Sequence, residues 1–281
     1  MQTIQTTFLV GCSRSGTTLL QSLLAAHPQV FSVPESKFFW YADPVHEAKR
    51  LRIGIASRRL KPWLKTFFNE IGYPDYRKTL PVFPLPLKNY TQYFFKKMSQ
   101  LTEAQGKTIF LEKTPEHLRY LEQIQTFLPQ AKVIHLVRSG KDTIASMYEL
   151  VQKYPKTWGY GERNLDYCIN RWSQEIRISQ AYRDHPQHII ARYEQLACET
   201  SSVLEQLCVF MGIQFDPEML TSYQTASTSL VRNRESWKAG VQASIQSPHS
   251  DKFSRVLTPE QQSYVLEKLA AAQLDNLNLI F

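Results

Sequence analysis

The sequence predicts an α/β protein of three layers, with a mostly parallel central sheet flanked by helices, and three observations carry that prediction. Four apolar runs of strand length alternate with segments whose apolar residues recur at helical spacing. The first run, Thr6–Val10, turns through Gly11-Cys12-Ser13-Arg14-Ser15-Gly16-Thr17-Thr18 into a helix marked by Leu19, Leu20, Leu23 and Leu24. That G-x-x-x-x-G spacing between a strand and a helix is a phosphate-binding loop, so the fold is P-loop-containing. The polar residues that stand out elsewhere fall at the carboxyl ends of predicted strands, where open α/β sheets bind their ligands.

The strands are Thr6–Val10, Thr108–Leu111, Val133–Val137 and His188–Arg192, with Gln29–Val33 as a candidate fifth. A helix over Glu116–Phe127 is announced by Thr114 as N-cap and Pro115 at the first helical position. Ser139 and Asp142 form a capping-box-like start for a helix over Lys141–Val151. A longer helix near Leu165–Arg183 carries Leu165, Ile169, Trp172 and Ile176 on one face. Another near Leu196–Met211 carries Val203, Leu204, Leu207 and Phe210. Between Lys49 and Lys65 stand seven Lys or Arg residues, read as a solvated helix face, with a docking patch as the alternative. Tyr73–Lys97 holds Pro81, Pro84 and Pro86 among aromatics and reads as an irregular insertion walling an acceptor pocket. No repeat or low-complexity linker divides the chain, so 1–281 is expected to form one domain.

The 43% hydrophobic fraction is that of a globular protein with material for a core. A net charge of +8 favours anionic ligands, and the phosphate loop already supplies one. No basic motif interleaved with aromatics points to nucleic acid. Cys12, Cys168, Cys198 and Cys208 have neither metal-ligand nor disulfide-framework spacing, which suits a reducing compartment. Cys12 lies where a helix terminus lowers a thiol pKa, although a structural role is the simpler reading. The first strand begins almost at once and no long apolar run precedes it, so neither a signal peptide nor a transmembrane segment is expected, and the location is expected to be cytoplasmic.

A Gly-bounded turn into a helix leaves backbone N–H groups and the positive end of the helix dipole facing an anion. The Lys that follows the second Gly in an ATP-binding P-loop is replaced by Thr17, and Arg14 is the loop's only cation. The loop therefore points to a nucleotide other than Mg-ATP. It resembles the 5′-phosphosulfate loop of sulfotransferases, which use 3′-phosphoadenosine 5′-phosphosulfate (PAPS). The wording RSGTTLLQSLLAAHP is especially similar to the tyrosylprotein sulfotransferases and related bacterial enzymes. Those enzymes usually carry a membrane anchor, and its expected absence here sets a protein-tyrosine acceptor apart from the rest of the resemblance.

A second motif strengthens the likeness. In Val133-Ile-His-Leu-Val-Arg138 a strand ends on Arg138, and Ser146 follows eight residues later within a helix. An Arg and a hydroxyl converging on one phosphate supply a charge-assisted donor and a neutral one. The pair resembles the 3′-phosphate element of sulfotransferases. The resemblance runs from Thr7 to about Lys238 and is weakest through Arg50–Gly106.

The resemblance implies sulfuryl transfer from PAPS to an acceptor hydroxyl or, second, an amine, by in-line displacement without a metal. It places Arg14, Ser15, Gly16, Thr17 and Thr18 around the donor's 5′ end and Lys113 beside the leaving oxygen. Cytosolic sulfotransferases have a His two residues beyond that Lys; here Pro115 occupies the place. The tyrosylprotein enzymes use a Glu shortly after the loop helix, and Glu35 falls on that position; His117 and Glu112 are its rivals, and a salt bridge near Lys37 is its plain structural reading. Tyr193, in Tyr-Glu-Gln-Leu, corresponds to a cofactor-contacting Tyr. Ser236 and Lys238 match loosely a late basic loop that clamps the 3′-phosphate. Two other functions stay open at this point, a P-loop small-molecule kinase and a non-catalytic PAP-binding protein.

Overall fold

Strand β1, Gln5–Gly11, alternates its side chains between two apolar clusters: Phe8 and Val10 face one way and Leu9 the other. A strand buried on both faces is apolar throughout, as in parallel sheets covered by helices on each side. The computed structural model describes residues 4–156, 158, 163–232 and 251–274. After β1 come α1 (Thr17–Ala25), β2 (Val30–Ser32), α2 (Phe38–Ala42), α3 (Ala48–Arg52), α4 (Leu60–Glu70) and α5 (Leu87–Ala104). Then follow β3 (Ile109–Lys113), α6 (Leu121–Phe127), β4 (Lys132–Val137), α7 (Gly140–Lys153) and α8 (Leu165–Ala181). The chain continues through β5 (His188–Arg192), α9 (Tyr193–Cys198), α10 (Thr200–Met211), α11 (Glu218–Thr221), α12 (Tyr223–Leu230), α13 (Lys252–Val256) and α14 (Pro259–Ala271).

The five strands pair in the order β2-β3-β1-β4-β5, every pair parallel. The chain leaves β1 for the β2 edge, returns through β3, then crosses β1 to β4 and β5. That reversal opens a crevice at the carboxyl end of β1. On one face Phe8, Phe110 and Val133 pack with Phe38 and Phe39 of α2, Phe67 and Phe68 of α4, and Phe94 and Phe95 of α5. On the other, Leu9, Leu111 and Ile134 pack with the leucines of α1 and with Leu204 and Leu207 of α10. A third cluster joins Cys12 and Val137 to α7, α8 and α14 around the fully buried Trp172. The three-layer α/β expectation is met, and no described helix is long and apolar enough to cross a membrane.

Several local expectations are corrected. The fifth strand exists but is shorter, Val30–Ser32, at the sheet edge. The segment Tyr73–Lys97 begins with a 3₁₀ helix, Pro74–Thr79, and is irregular only from there to Pro86. From Leu87 it is helix α5, whose Tyr90, Phe94, Phe95, Met98 and Leu101 face the core at helical spacing. The prolines end where that spacing begins, and a Pro just before a first turn removes no intrahelical bond. Residues 115–120 are a 3₁₀ turn before α6, and Thr114 does not cap it: its hydroxyl donates to Glu112 and accepts the Lys37 N–H. Ser139 occupies the N-cap position of α7 without a side-chain cap bond. The Leu196–Met211 helix is two, broken at Glu199. The α8 helix ends at Ala181 and is capped by Asn164, which accepts the Tyr167 N–H at 2.9 Å.

Candidate active site

The loop after β1 is shaped by close approach. Gly11 has φ +156°, and a Cβ there would lie 2.4 Å from the Leu136 carbonyl oxygen. Gly16, at φ +92°, would drive a Cβ to 2.5 Å from the Tyr193 ring. Arg14 is a non-Gly residue at φ 78°, a conformation that costs energy and is held by its surroundings. Gly16 precedes α1 with no side-chain cap, so the first-turn N–H groups keep the directions that bind anions. Ser15 Oγ is buried and has no hydrogen-bond partner among the described residues. A buried hydroxyl in that condition fits a phosphate or sulfate oxygen.

Three strand-end turns converge beside this loop. Arg14 Nε donates to Ser146 Oγ at 3.2 Å. The Arg138 guanidinium lies 4.2 Å from the centre of the Tyr193 ring, and its Nε is buried without a hydrogen-bond partner among the described residues. Burial, and then the positive charge of Arg138, lower the pKa of Arg14. Two arginines that repel one another beside a hydroxyl form a site that an anion relieves. Glu194 accepts the Ser139 N–H at 2.8 Å and ties the Tyr193 turn to the Arg138 turn. Ser146 is thus bonded to Arg14, while Arg138, expected to pair with it, lies over Tyr193.

On the β3 side of the crevice, Lys113 Nζ lies 2.6 Å from Glu35 Oε1 and donates to Thr18 Oγ1 at 3.3 Å. The Lys113 side chain is fully buried and that of Glu35 is 8% exposed. Lys37 Nζ is 3.9 Å from the other Glu35 oxygen, and Arg232 Nη2 donates to the Glu35 carbonyl at 2.9 Å. Glu35, Lys113 and the first turn of α1 are therefore one contiguous group.

The rival bases do not share it. Glu112 turns to the opposite side of β3, where it accepts from Ser36 Oγ at 2.5 Å, Ser36 N at 3.2 Å and Thr114 Oγ1 at 3.0 Å. His117 Nδ1 is 2.8 Å from its other oxygen. Burial works to raise the Glu112 pKa, but His117 and these hydrogen bonds outweigh it and the carboxyl is lowered. His117 is fully buried, its Nε2 accepting the Phe39 N–H at 3.3 Å. Both residues hold the turn that carries Glu35.

A charged network beneath the loop escaped the sequence reading. Arg171 Nη2 donates to Ser13 Oγ at 3.0 Å, and its Nε donates to Glu175 at 3.3 Å. Glu175 also takes Arg119 at 2.8 Å. The signal was the i,i+4 placement of Arg171 and Glu175 on a helix read for its apolar stripe. Burial, followed by Glu175, pushes the Cys12 thiol well above its ordinary value, so the helix terminus does not activate it. Ser236 and Lys238 lie outside the described residues.

A sequence profile described as Sulfotransferase family matches residues 7–217. The chain belongs to the sulfotransferase family. It is an enzyme of sulfuryl transfer, and its donor nucleotide is PAPS. A Caenorhabditis briggsae protein, provisionally named a protein-tyrosine sulfotransferase, is 24% identical over 242 residues, covering 84% of this chain and 75% of the relative. Protein-tyrosine sulfotransferase 1 of Danio rerio is 24% identical over 217 residues, 76% of this chain; the match spans only about half of that protein, 54%. Among solved structures, the sulfotransferase domain of the curacin biosynthetic pathway superposes with a TM-score of 0.59 at 22% identity, covering 96% of this chain and 99% of that one. A mouse sulfotransferase complexed with PAP gives 0.57 at 13% identity, covering 98% and 86%. These superpositions establish the fold of the sulfotransferase.

Proposed function

We propose that this sulfotransferase carries the sulfuryl group of PAPS to an acceptor hydroxyl by in-line displacement, with Glu35 as general base and Lys113 serving the leaving oxygen. The observation that supports this most is the contact of one buried ammonium with both Glu35, at 2.6 Å, and Thr18, at 3.3 Å. In this reading Glu35 gains the acceptor's proton, and Thr18 lies beside the oxygen that gains charge as it leaves. PAPS supplies the activated sulfuryl group and a phosphate oxygen as leaving atom. Glu35 takes the hydroxyl proton as the acceptor oxygen bonds to sulfur and the bond from sulfur to the bridging oxygen breaks. A protonated Glu35 releases its hold on Lys113, whose N–H then serves the leaving oxygen. Such transfers have loose transition states, and fixed donors provide most of the acceleration.

Arg14, Ser15, Gly16, Thr17 and Thr18 bind the 5′ end of the nucleotide in this reading, Arg138 and Ser146 its 3′-phosphate, and Tyr193 its adenosine half. Ser236 and Lys238 complete the 3′ clamp, and 1–281 acts as one catalytic unit in the cytoplasm. The acceptor approaches past Trp63 and Tyr41, whose rings stack at 4.2 Å, while Trp63 Nε1 donates to the carbonyl of Ser36 at 2.5 Å. An aromatic wall beside the base favours a hydroxyl on an apolar or aromatic acceptor, with an amine second.

The test is PAP release from PAPS, and in parallel ADP release from Mg-ATP, across a panel of phenol, sterol, sugar and peptide-tyrosine acceptors, with Glu35→Gln alongside. The expected result is acceptor-dependent release lost in Glu35→Gln while PAP binding persists. PAP binding without transfer to any acceptor supports a non-catalytic binding protein, and transfer that requires Mg-ATP supports a kinase.

A further inference from the structure

The Lys and Arg side chains of residues 49–65 have no part in sulfuryl transfer as described. It lies beside the Pro-rich loop 80–86: Leu87 N donates to Gly54 O at 2.9 Å, Ala56 N to Leu85 O at 3.1 Å, and Lys61 Nζ to Val82 O at 3.3 Å. Five of the nine large apolar side chains exposed among the described residues lie here, whereas Val209, 77% exposed, stands apart on α10. Val82 and Phe83 are each 78% exposed, Ile53 is 64%, Val45 56% and Leu51 54%. Lys49, Arg52, Arg58, Lys65 and Lys88 are exposed around them. Residues 44–65 contain one carboxylate, Glu47, already bonded to Ser57 and 3.3 Å from Arg50.

We propose that this face docks on an anionic lipid bilayer, with Val82, Phe83 and Ile53 entering the interface and the surrounding Lys and Arg meeting the headgroups. Side chains exposed to this degree stand out from the surface instead of lining a groove, and an interface of headgroups and acyl chains accepts such tips without a matching pocket. Pro81, Pro84 and Pro86 fix the loop's φ angles, so presenting the tips loses little chain freedom. The cations supply the second signal that stable interfacial binding needs. The same segments brace the Glu35 turn, through Ser57 N to Ala42 O at 2.8 Å and Trp63 to Ser36. Docking would therefore set the acceptor entrance beside the lipid surface. Bilayer binding stands independently of the transfer chemistry, and only the placement of the acceptor entrance rests on the proposed function.

The test is flotation of the whole chain with phosphatidylcholine vesicles, with and without phosphatidylglycerol, at low and high salt. Expected is binding to the anionic vesicles only, weakened by salt. Ile53→Glu/Phe83→Glu should lower that binding roughly tenfold or more, and Lys49→Glu/Arg52→Glu about five-fold for each cation removed. Val82→Ser/Phe83→Ser is a milder second variant, and retained thermal stabilisation by PAP shows that each variant is folded. No binding to anionic vesicles, equal binding to both kinds, or binding unchanged in the variants overturns the proposal. Binding to a polyglutamate peptide but not to vesicles also overturns it, in favour of an acidic protein partner.

Discussion

Arg14 donates to Ser146 across 3.2 Å, joining the strand-to-helix loop after β1 to the helix that follows β4. One group thus links the two segments proposed to bind the 5′ end and the 3′-phosphate, with Arg138 close enough to lower the Arg14 pKa. Arg138→Ala should cost the interaction of one charged hydrogen-bonding group with the 3′-phosphate, about 1.5–3 kcal/mol. Calorimetry should show PAP binding weakened while 5′-AMP binding changes little. Equal losses for both nucleotides would contradict the assignment.

Glu35→Gln keeps the shape of the base and removes its basicity. Loss of a general base lowers turnover by roughly 10²–10⁴. Steady-state assays should report that fall in kcat, with the PAP dissociation constant within a few-fold of wild type. Near-normal kcat would rule Glu35 out.

Lys113 and Glu35 form a buried pair, so removing one partner strands the other. Lys113→Met should destabilise the fold by about 3 kcal/mol, as for other broken buried pairs. Glu35→Gln/Lys113→Met should be more stable than the sum of the single changes predicts, because no charge is then left alone. Urea unfolding of the four proteins measures the coupling.

Gly16 faces the Tyr193 ring with no room for a methyl group. Gly16→Ala adds both that clash and a side chain at φ +92°, for a cost of about 1–3 kcal/mol. The expected outcome is a lower melting temperature together with weaker PAP binding, since Tyr193 also lies under Arg138.

The fold carries a pH dependence away from the active site. His135 Nε2 is 2.8 Å from His188 Nδ1. Burial first, then His188, pushes His135 down to about 3; burial, then His185, pushes His188 down to about 4. The unfolded chain binds protons below about pH 6.5 that the folded chain refuses, so this stability is complete above 6.5 and is lost as the pH falls toward 4. At pH 5 the loss is of order 2 kcal/mol for His135, and the buried His188 adds to it in the same direction. Urea unfolding at pH 7 and pH 5 measures it, and His135→Asn should flatten the slope.

The strand, the Gly-bounded turn and the helix after it were legible because they are local in sequence, as was the strand that ends before Arg138. Glu35 and Lys113 were each placed by resemblance, but their contact arises from parallel pairing of β2 with β3, which no local pattern encodes. The Arg171–Glu175 pair was readable from its i,i+4 spacing, but the contacts from Arg171 to Ser13 and from Glu194 to Ser139 join distant turns and were not. Helix α5 was missed because three prolines outweighed the apolar spacing that begins after the last of them.

The most direct measurement is the thermal stability of the protein with PAP, 5′-AMP and Mg-ATP in parallel, repeated on Arg138→Ala. A ligand at a hundred times its dissociation constant adds about 2.7 kcal/mol, several degrees in a protein of this size. The account predicts a shift with PAP that exceeds the shift with 5′-AMP, and loss of that difference in Arg138→Ala. Equal shifts with PAP and 5′-AMP, or a shift with Mg-ATP alone, would contradict it.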